Sequence, residues 1–182
     1  MGRQVVLDTE LTGLNVGKPN GDKLVSVGIV EIFNGQVTGK SAIWYINPLK
    51  KSTKKALEIH GLSETFLSTK PEFKKVAQEI LDFIGDSEII HHCWYRESDD
   101  TSTDERALNF ELKDNGFKTI PHSQWVNIKK WAQSLSKDKN SLDDMLDRYG
   151  IDRNARKKNH DALIDAEMTA KLYLKMAPAF KK

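Results

Sequence analysis

Two carboxylates stand one residue apart at the end of an apolar run: Val5-Val6-Leu7 is followed directly by Asp8-Thr9-Glu10. A short β-branched run without alternation reads as a strand buried on both faces. In an extended segment residues i and i+2 point the same way, so Asp8 and Glu10 converge on one point at the rim of a sheet. Like charges held that close repel unless they are protonated or neutralised, and a divalent cation neutralises them at neutral pH. The spacing therefore points to a magnesium or manganese site. The same Asp-x-Glu also arises as polar punctuation of a turn before Thr12-Gly13, so the metal reading calls for further ligands from elsewhere in the chain.

A second chemical signal lies far downstream, in Asn159-His160-Asp161-Ala162-Leu163-Ile164-Asp165-Ala166. On a helix Asp165 shares a face with Ala162, Ala166 and Thr169, small residues that let a helix approach a sheet, so its carboxylate points into the packing side. An inward carboxylate needs a cation or hydrogen-bond donors, or it costs on the order of several kcal/mol. His160 precedes that helix, and an imidazole titrating near working pH suits a general base that takes a proton from an attacking water. The alternative is a loop histidine paired with Asp161 or Asp165.

Elements must carry these groups to one place. After a loop over residues 12–22, Leu24 to Phe33 reads as a long strand containing a glycine at Gly28, Asn34-Gly35 as a type I′ hairpin turn, and Gln36 to Ile46 as the returning strand. A short helix over Lys54 to Ile59 ends at Gly61, and Ser63 can cap the next turn. Pro71 opens an amphipathic helix on Phe73, Val76, Ala77, Ile80, Leu81 and Ile84, which Gly85 terminates. Glu88 to His91 is a short buried strand placed by a crossover near, and parallel to, the first. The polar stretch from Trp94 leads to a helix over about Asp104 to Lys113. A weak strand over Ser123 to Val126, a helix around Lys129 to Leu135 and a helix capped by Ser141 and Asp144 follow. The last helix is predicted over Ala162 to Met176, closed by Pro178.

The chain has 182 residues, of which 38% are hydrophobic and 30% charged, with a formal net charge of +2. That suits one globular domain and does not by itself demand a polyanionic partner. The lone Cys93 leaves no internal disulfide to form and fits a reducing, cytoplasmic setting. No apolar run is long enough to span a membrane, and no signal or myristoylation pattern is found.

Asp8-Thr9-Glu10 with Thr12-Gly13-Leu14 resembles the first motif of the DEDDh (DnaQ-like) 3′-to-5′ exonucleases, and His160-x-Ala162-x-x-x-Ala166 with Asp165 resembles their third. The likeness extends over nearly the whole chain toward the proofreading epsilon branch of that family, through Arg3-Gln4-Val5-Val6-Leu7, Ile59-His60-Gly61-Leu62 and Asn140-Ser141-Leu142-Asp143. It implies an α/β, RNase H-like fold with a mixed five-stranded sheet, an antiparallel second strand and flanking helices. It implies two divalent cations, Mg2+ or Mn2+, on four acidic residues, with Asp8, Glu10 and Asp165 as ligands and His160 as base. Thr9, Thr12, Gly13 and Leu14 would hold the terminal nucleotide, and His60 would lie near it. The reaction implied is phosphodiester hydrolysis at single-stranded or frayed DNA 3′ ends, releasing nucleoside 5′-monophosphates, with a DNA polymerase catalytic subunit among the implied partners. An exoribonuclease of the same superfamily and a catalytically impaired nuclease-fold subunit are the alternatives.

The second family motif departs from its pattern. His91-His92-Cys93 is followed by residues that read as an insertion beside the active site at about 94–103, within a single exonuclease domain, and counting back from Leu108-Asn109-Phe110 places the fourth ligand on Asp104. Asp99 and Asp100 compete for that role. Asn127 stands where the epsilon branch has Asp, and Ser26 where it has Glu. Three adjacent residues on a strand cannot all face one ion, which argues against zinc on His91-His92-Cys93. Trp94 could stack on a base or pack locally, and the basic run Arg153, Arg156, Lys157, Lys158 could steer a phosphate backbone or simply be solvated. The epsilon branch also uses a C-terminal polymerase-binding tail, which the sequence reading does not find after the last helix.

Overall fold

The computed structural model describes residues 2–136, 139–156 and 160–180. Five strands form one mixed sheet: β1 (Arg3–Leu11), β2 (Leu24–Phe33), β3 (Gln36–Tyr45), β4 (Glu88–His91) and β5 (Trp125–Asn127). Their order is β3-β2-β1-β4-β5. β2 runs antiparallel to β1 and to β3, whereas β4 is parallel to β1 and to β5. This is the expected mixed sheet with an antiparallel second strand. The hairpin between β2 and β3 turns at Asn34 and Gly35, both at positive φ, 49° and 77°. Asn and Gly are the residues that tolerate that backbone.

Among the described residues there are seven α-helices, α1 (Lys54–His60), α2 (Glu64–Ser68), α3 (Phe73–Ile84), α4 (Thr103–Asp114), α5 (Ile128–Leu135), α6 (Leu142–Arg148) and α7 (Ala162–Phe180), and α3 to α7 cover the two faces of the sheet. Strand alternation sorts the core in two. Val5 and Leu7 of β1 face one layer with α3 and α4, through Val76, Ile80, Ile84, Leu108 and Leu112. Val6 faces the other layer with α5, α6 and α7, through Ile128, Met145, Leu146, Met168 and Leu172. The two-residue period continues past the apolar run, so Asp8 and Glu10 fall on the Val6 side with α7, and Thr9 falls on the Leu7 side with α4.

Two local expectations need correction. The weak fifth strand is shifted: residues 122–124 form a 3₁₀ turn, and pairing with β4 begins only at Trp125. The last helix does not stop before Pro178 but carries it inside its final turn and runs to Phe180. There Phe180 stacks on Trp131 of α5, with ring centroids 4.8 Å apart and planes at 11°, and this packing offsets the lost backbone hydrogen bond. The stretch read as an insertion is folded back on itself. Tyr95 bridges Ser102, Arg96 N–H donates to the Thr101 carbonyl at 2.8 Å, and Thr103 N–H donates to the Trp94 carbonyl at 2.9 Å.

Candidate active site

Gly28 and Tyr45 position the late half of the site. Gly28 of β2 lies opposite Asp8 of β1, and a Cβ at Gly28 would sit 2.3 Å from the backbone carbon of Ala162. The missing side chain is what lets the first turn of α7 lie against the sheet beside Asp8. Asp161 caps that turn, its Oδ1 accepting from Leu163 N–H at 2.9 Å and its Oδ2 from the Tyr45 hydroxyl at 2.9 Å. Burial and the Asp161 carboxylate push the Tyr45 hydroxyl up to about 12, so it stays a donor. Asp161 is therefore bound to its own helix and to Tyr45, and His160 turns instead to Asp165, with Nδ1 3.4 Å from Oδ2.

Carboxylates from β1, α4 and α7 face one another here. One ligand atom each of Glu10, His160 and Asp165 lies within 4.8 Å of the others. Asp8 and Asp104 lie outside this trio but within electrostatic reach of it. Burial, followed by Asp165, Asp104 and Glu10, pushes the Asp8 carboxyl well above the usual carboxylate range. Burial, followed by Asp165 and Asp104, pushes Glu10 up to about 8. Both shifts have the cause expected of buried, clustered carboxylates, and Arg156 offsets them only in part.

Asp104 is held at the start of α4, where Ser102 caps the helix by accepting from Glu105 N–H. Thr9 donates its hydroxyl to Asp104 Oδ1 at 2.7 Å, so the residue between the two β1 carboxylates ties the third element to them. Asp104 Oδ2 and His91 Nδ1 are buried, 3.5 Å apart, and make no hydrogen bond among the described residues. Asp99 and Asp100 are exposed and engaged elsewhere: Asp99 accepts from Thr101 and pairs with Arg96, and Asp100 pairs with Lys130.

Arg156 supplies positive charge to the cluster. Its Nε donates to Asp165 Oδ1 at 2.7 Å, its Nη1 donates to Asp143 Oδ1, and its Nη2 lies 3.2 Å from His160 Nδ1. A guanidinium only donates, so the last contact makes Nδ1 the acceptor. Arg153 pairs with Asp143 and Asp147. The two arginines of the basic run, read as either steering a phosphate backbone or solvated, instead pair with carboxylates of their own chain, while Lys157 and Lys158 lie outside the described residues.

An apolar cavity of about 400 Å3 opens beside Glu10, lined by Thr9, Gly13, Leu14, Ala56, Ile59 and His60 among others. Leu14 keeps 78% of its surface exposed at the mouth. Thr12 does not line the cavity. Its hydroxyl bonds Asp22 and Lys23 N–H, and its carbonyl accepts from Thr53 N–H at the cap of α1, so it braces the wall. Gly13 is required by Asp22 as well, because a Cβ there would meet Asp22 Oδ2 at 2.5 Å. His60 is 3% exposed. Its Nδ1 accepts from Leu62 N–H and its Nε2 lies 3.3 Å from Ser52 Oγ, which fixes the corner where α1 ends.

His91, His92 and Cys93 do not converge. His91 meets Trp125 edge to face on one side of the sheet. Burial, with Lys129 adding to it, takes His92 down to about 3, and burial pushes the Cys93 thiol up. Asn127 clamps Cys93 by donating to its carbonyl at 2.8 Å and accepting from its N–H, and buried Ser26 lies opposite Glu10 across the hairpin. Gly28 and Tyr45 were not legible as parts of the site from the sequence, and Arg156 was legible only by its charge. For the first two, a glycine in the middle of a strand was the one available signal.

The donor set fits a hard divalent cation. It consists of carboxylates and one imidazole, with raised carboxyls and an unsatisfied buried Oδ2 that a positive ion would relieve.

Comparison with known proteins follows the same lines. The family model RNase_T, described as exonuclease, matches residues 5–173. The chain is 35% identical over 176 residues to the DNA polymerase III subunit epsilon of Haemophilus influenzae, covering 96% of this chain and 67% of that protein. It is 34% identical over 184 residues to the subunit of the same name from Escherichia coli K12, covering 96% of this chain and 71% of that one. In fold it is similar to the crystal structure of the nuclease domain of 3′hExo, a DEDDh family member bound to rAMP, with a TM-score of 0.74, 18% identity and coverage of 98% and 92% of the two chains.

Proposed function

The chain belongs to the exonuclease family, and from that membership we propose that it is a metal-dependent 3′-to-5′ exonuclease that releases nucleoside 5′-monophosphates from DNA 3′ ends in the manner of a proofreading subunit. The observation that carries this reading is the meeting of Asp8, Glu10, Asp104 and Asp165 with His160 from three separate elements, next to an apolar cavity walled by Leu14. Asp8, Glu10, Asp104 and Asp165 would hold two divalent cations, Mg2+ or Mn2+. Bound there, such cations ease deprotonation of the attacking water and offset charge on the departing 3′ oxygen.

The chain's own groups do the rest. His160 is half-buried beside Asp165 and takes the proton of the attacking water when Arg156 releases its Nδ1 lone pair. Thr9 keeps Asp104 in register with β1. The terminal base enters the cavity, where Leu14 and Ile59 offer apolar surface, and Gly13 and His60 shape the wall. The placement of His160 and Asp165 depends on α7 lying against β2 at Gly28.

The preference for DNA and an association with a DNA polymerase catalytic subunit are supported by the names of the relatives. A cytoplasmic setting accords with the single cysteine, and among the described residues no helix is long and apolar enough to cross a membrane. The test is digestion of 3′-mismatched DNA and of matched RNA with magnesium, manganese or chelator, run beside Asp104→Ala. Loss of digestion in chelator and in the variant is expected. Digestion indifferent to chelator would overturn the metal mechanism, full activity in the variant would move the fourth ligand away from Asp104, and a preference for RNA would overturn the substrate.

A further inference from the structure

Trp94 keeps 70% of its surface in solvent, although its backbone is tied next to the site through the bond from Thr103 N–H, one residue before Asp104. The ring rests on an unusual neighbour. Lys129 Nζ lies 4.0 Å from the ring centroid, yet Lys129 is only 2% exposed. Its ammonium donates to the Asn140 carbonyl at 2.6 Å, and among the described residues no carboxylate forms an ion pair with it. Burial pulls this ammonium down and the Asp144 carboxylate acts against that pull at longer range, so Lys129 keeps a positive charge that no ion pair at contact distance takes up.

Trp94 and Lys129 share a groove of about 590 Å3 with Tyr95, Lys139, Ser141 and Asp144. The other groups there are committed. Tyr95 donates its hydroxyl to Gln133, Lys130 pairs with Asp100 beside it, and Asp144 accepts from the backbone and hydroxyl of Ser141 at the cap of α6. Ser141 and Asp144 at one end of the groove are close in sequence to Asp143, which holds Arg156 against Asp165, and Trp94 at the other is bonded to the residue before Asp104.

We propose that this groove is a subsite for single-stranded nucleic acid upstream of the 3′ end, with a base stacked on the open face of Trp94 and its phosphate drawn to Lys129. The proposal rests on the exonuclease reading and extends it to the strand behind the scissile bond. An exposed aromatic plane accepts any base, and an uncompensated buried cation favours a phosphate. A duplex would not offer its base faces to the ring, so the subsite selects a single strand. A partner's acidic peptide would use the charge without needing the plane.

The probe is a set of oligothymidylates of about two to eight nucleotides, used as substrates and, with phosphorothioate links, as hydrolysis-resistant ligands. For the wild type, KM should fall as the oligonucleotide lengthens. In Trp94→Ala that gain is lost, leaving KM for the longer substrates about tenfold or more higher while kcat holds. Trp94→Phe keeps the gain but loses the tryptophan quenching that the phosphorothioate ligands produce in the wild type. Lys129→Met, which keeps the buried stem, lowers the salt dependence of binding by about 0.7 of a log unit per log unit of salt. An unchanged length dependence in Trp94→Ala, quenching that persists in Trp94→Phe, or quenching by an acidic peptide but not by the oligonucleotides would each overturn the subsite. If the wild type digests none of the substrates, the exonuclease reading fails, and the quenching titration still decides whether the groove binds a strand.

Discussion

Replacing Gly28 by alanine tests how the site is put together. The new Cβ would lie 2.3 Å from the Ala162 carbonyl carbon and 2.4 Å from its oxygen and from Leu163 N, whereas ordinary contact begins near 3.4 Å. The obstruction is main chain, so no rotamer relieves it, and the first turn of α7 has to retreat by roughly 1 Å. That turn carries Asp165, follows His160 and is anchored by the 2.9 Å bond from Tyr45 to Asp161. Overpacking of this kind costs about 1–3 kcal/mol, which for a chain of this size lowers the melting temperature by about 2 to 12 °C. A 1 Å misplacement of reacting groups costs about a hundredfold in rate. The assay is kcat/KM on a 3′-labelled oligonucleotide together with a thermal melt. Strand propensity alone predicts the opposite sign, since alanine in a strand interior is favoured over glycine by about 0.5–1 kcal/mol. Wild-type activity with a raised melting temperature, or recovery of activity on adding Ala162→Gly, would refute the argument, because the collision is with backbone and not with a side chain.

Asp104→Asn should lower kcat by about a hundredfold or more and yet raise the melting temperature in chelator, because it removes a charge that pushes both Asp8 and Glu10 upward; a drop in both quantities would show that Asp104 mainly supports the fold. In chelator the melting temperature should fall as pH rises from the ordinary Glu value of 4.5 to about 8. Across that window the unfolded chain has released the Glu10 proton and the folded chain still holds it, so raising the pH favours unfolding. Manganese should flatten the slope, and a melting temperature that climbs with pH in chelator would contradict the assignment. His160→Ala should reduce kcat by about 10²–10⁴-fold with little effect on oligonucleotide affinity, as read by single-turnover rates and a binding titration.

What could be read from residues in order was what short-range physics determines. The hairpin at Asn34-Gly35, the stop at Gly61 and the shared face of Asp8 and Glu10 each depend on a few adjacent residues, and each is found. Pro178 misled because local propensity says stop, while Phe180 has a ring on α5 to stack against. The supports of the site were hidden for a different reason. Tyr45 meets Asp161 across 116 positions and Gly28 meets Ala162, so the meaning of either residue exists only once the sheet and α7 are assembled. Arg156 read by its charge as either a phosphate-steering or a solvated residue, and only three-dimensional proximity shows that it pairs with Asp165.

The placement of α7 bears on how the chain is made. β1 lies at the centre of the sheet, while Asp165 and His160 belong to a segment that is synthesised after all five strands. Until then the layer that covers Val6, Val30 and Ile90 has no α7 to close it. A chain made only as far as α6 therefore carries an exposed oily face and three of the four acids, without Asp165 or His160, so it tends to clump. On the proposed function, the means to cleave arrives only when α7 docks.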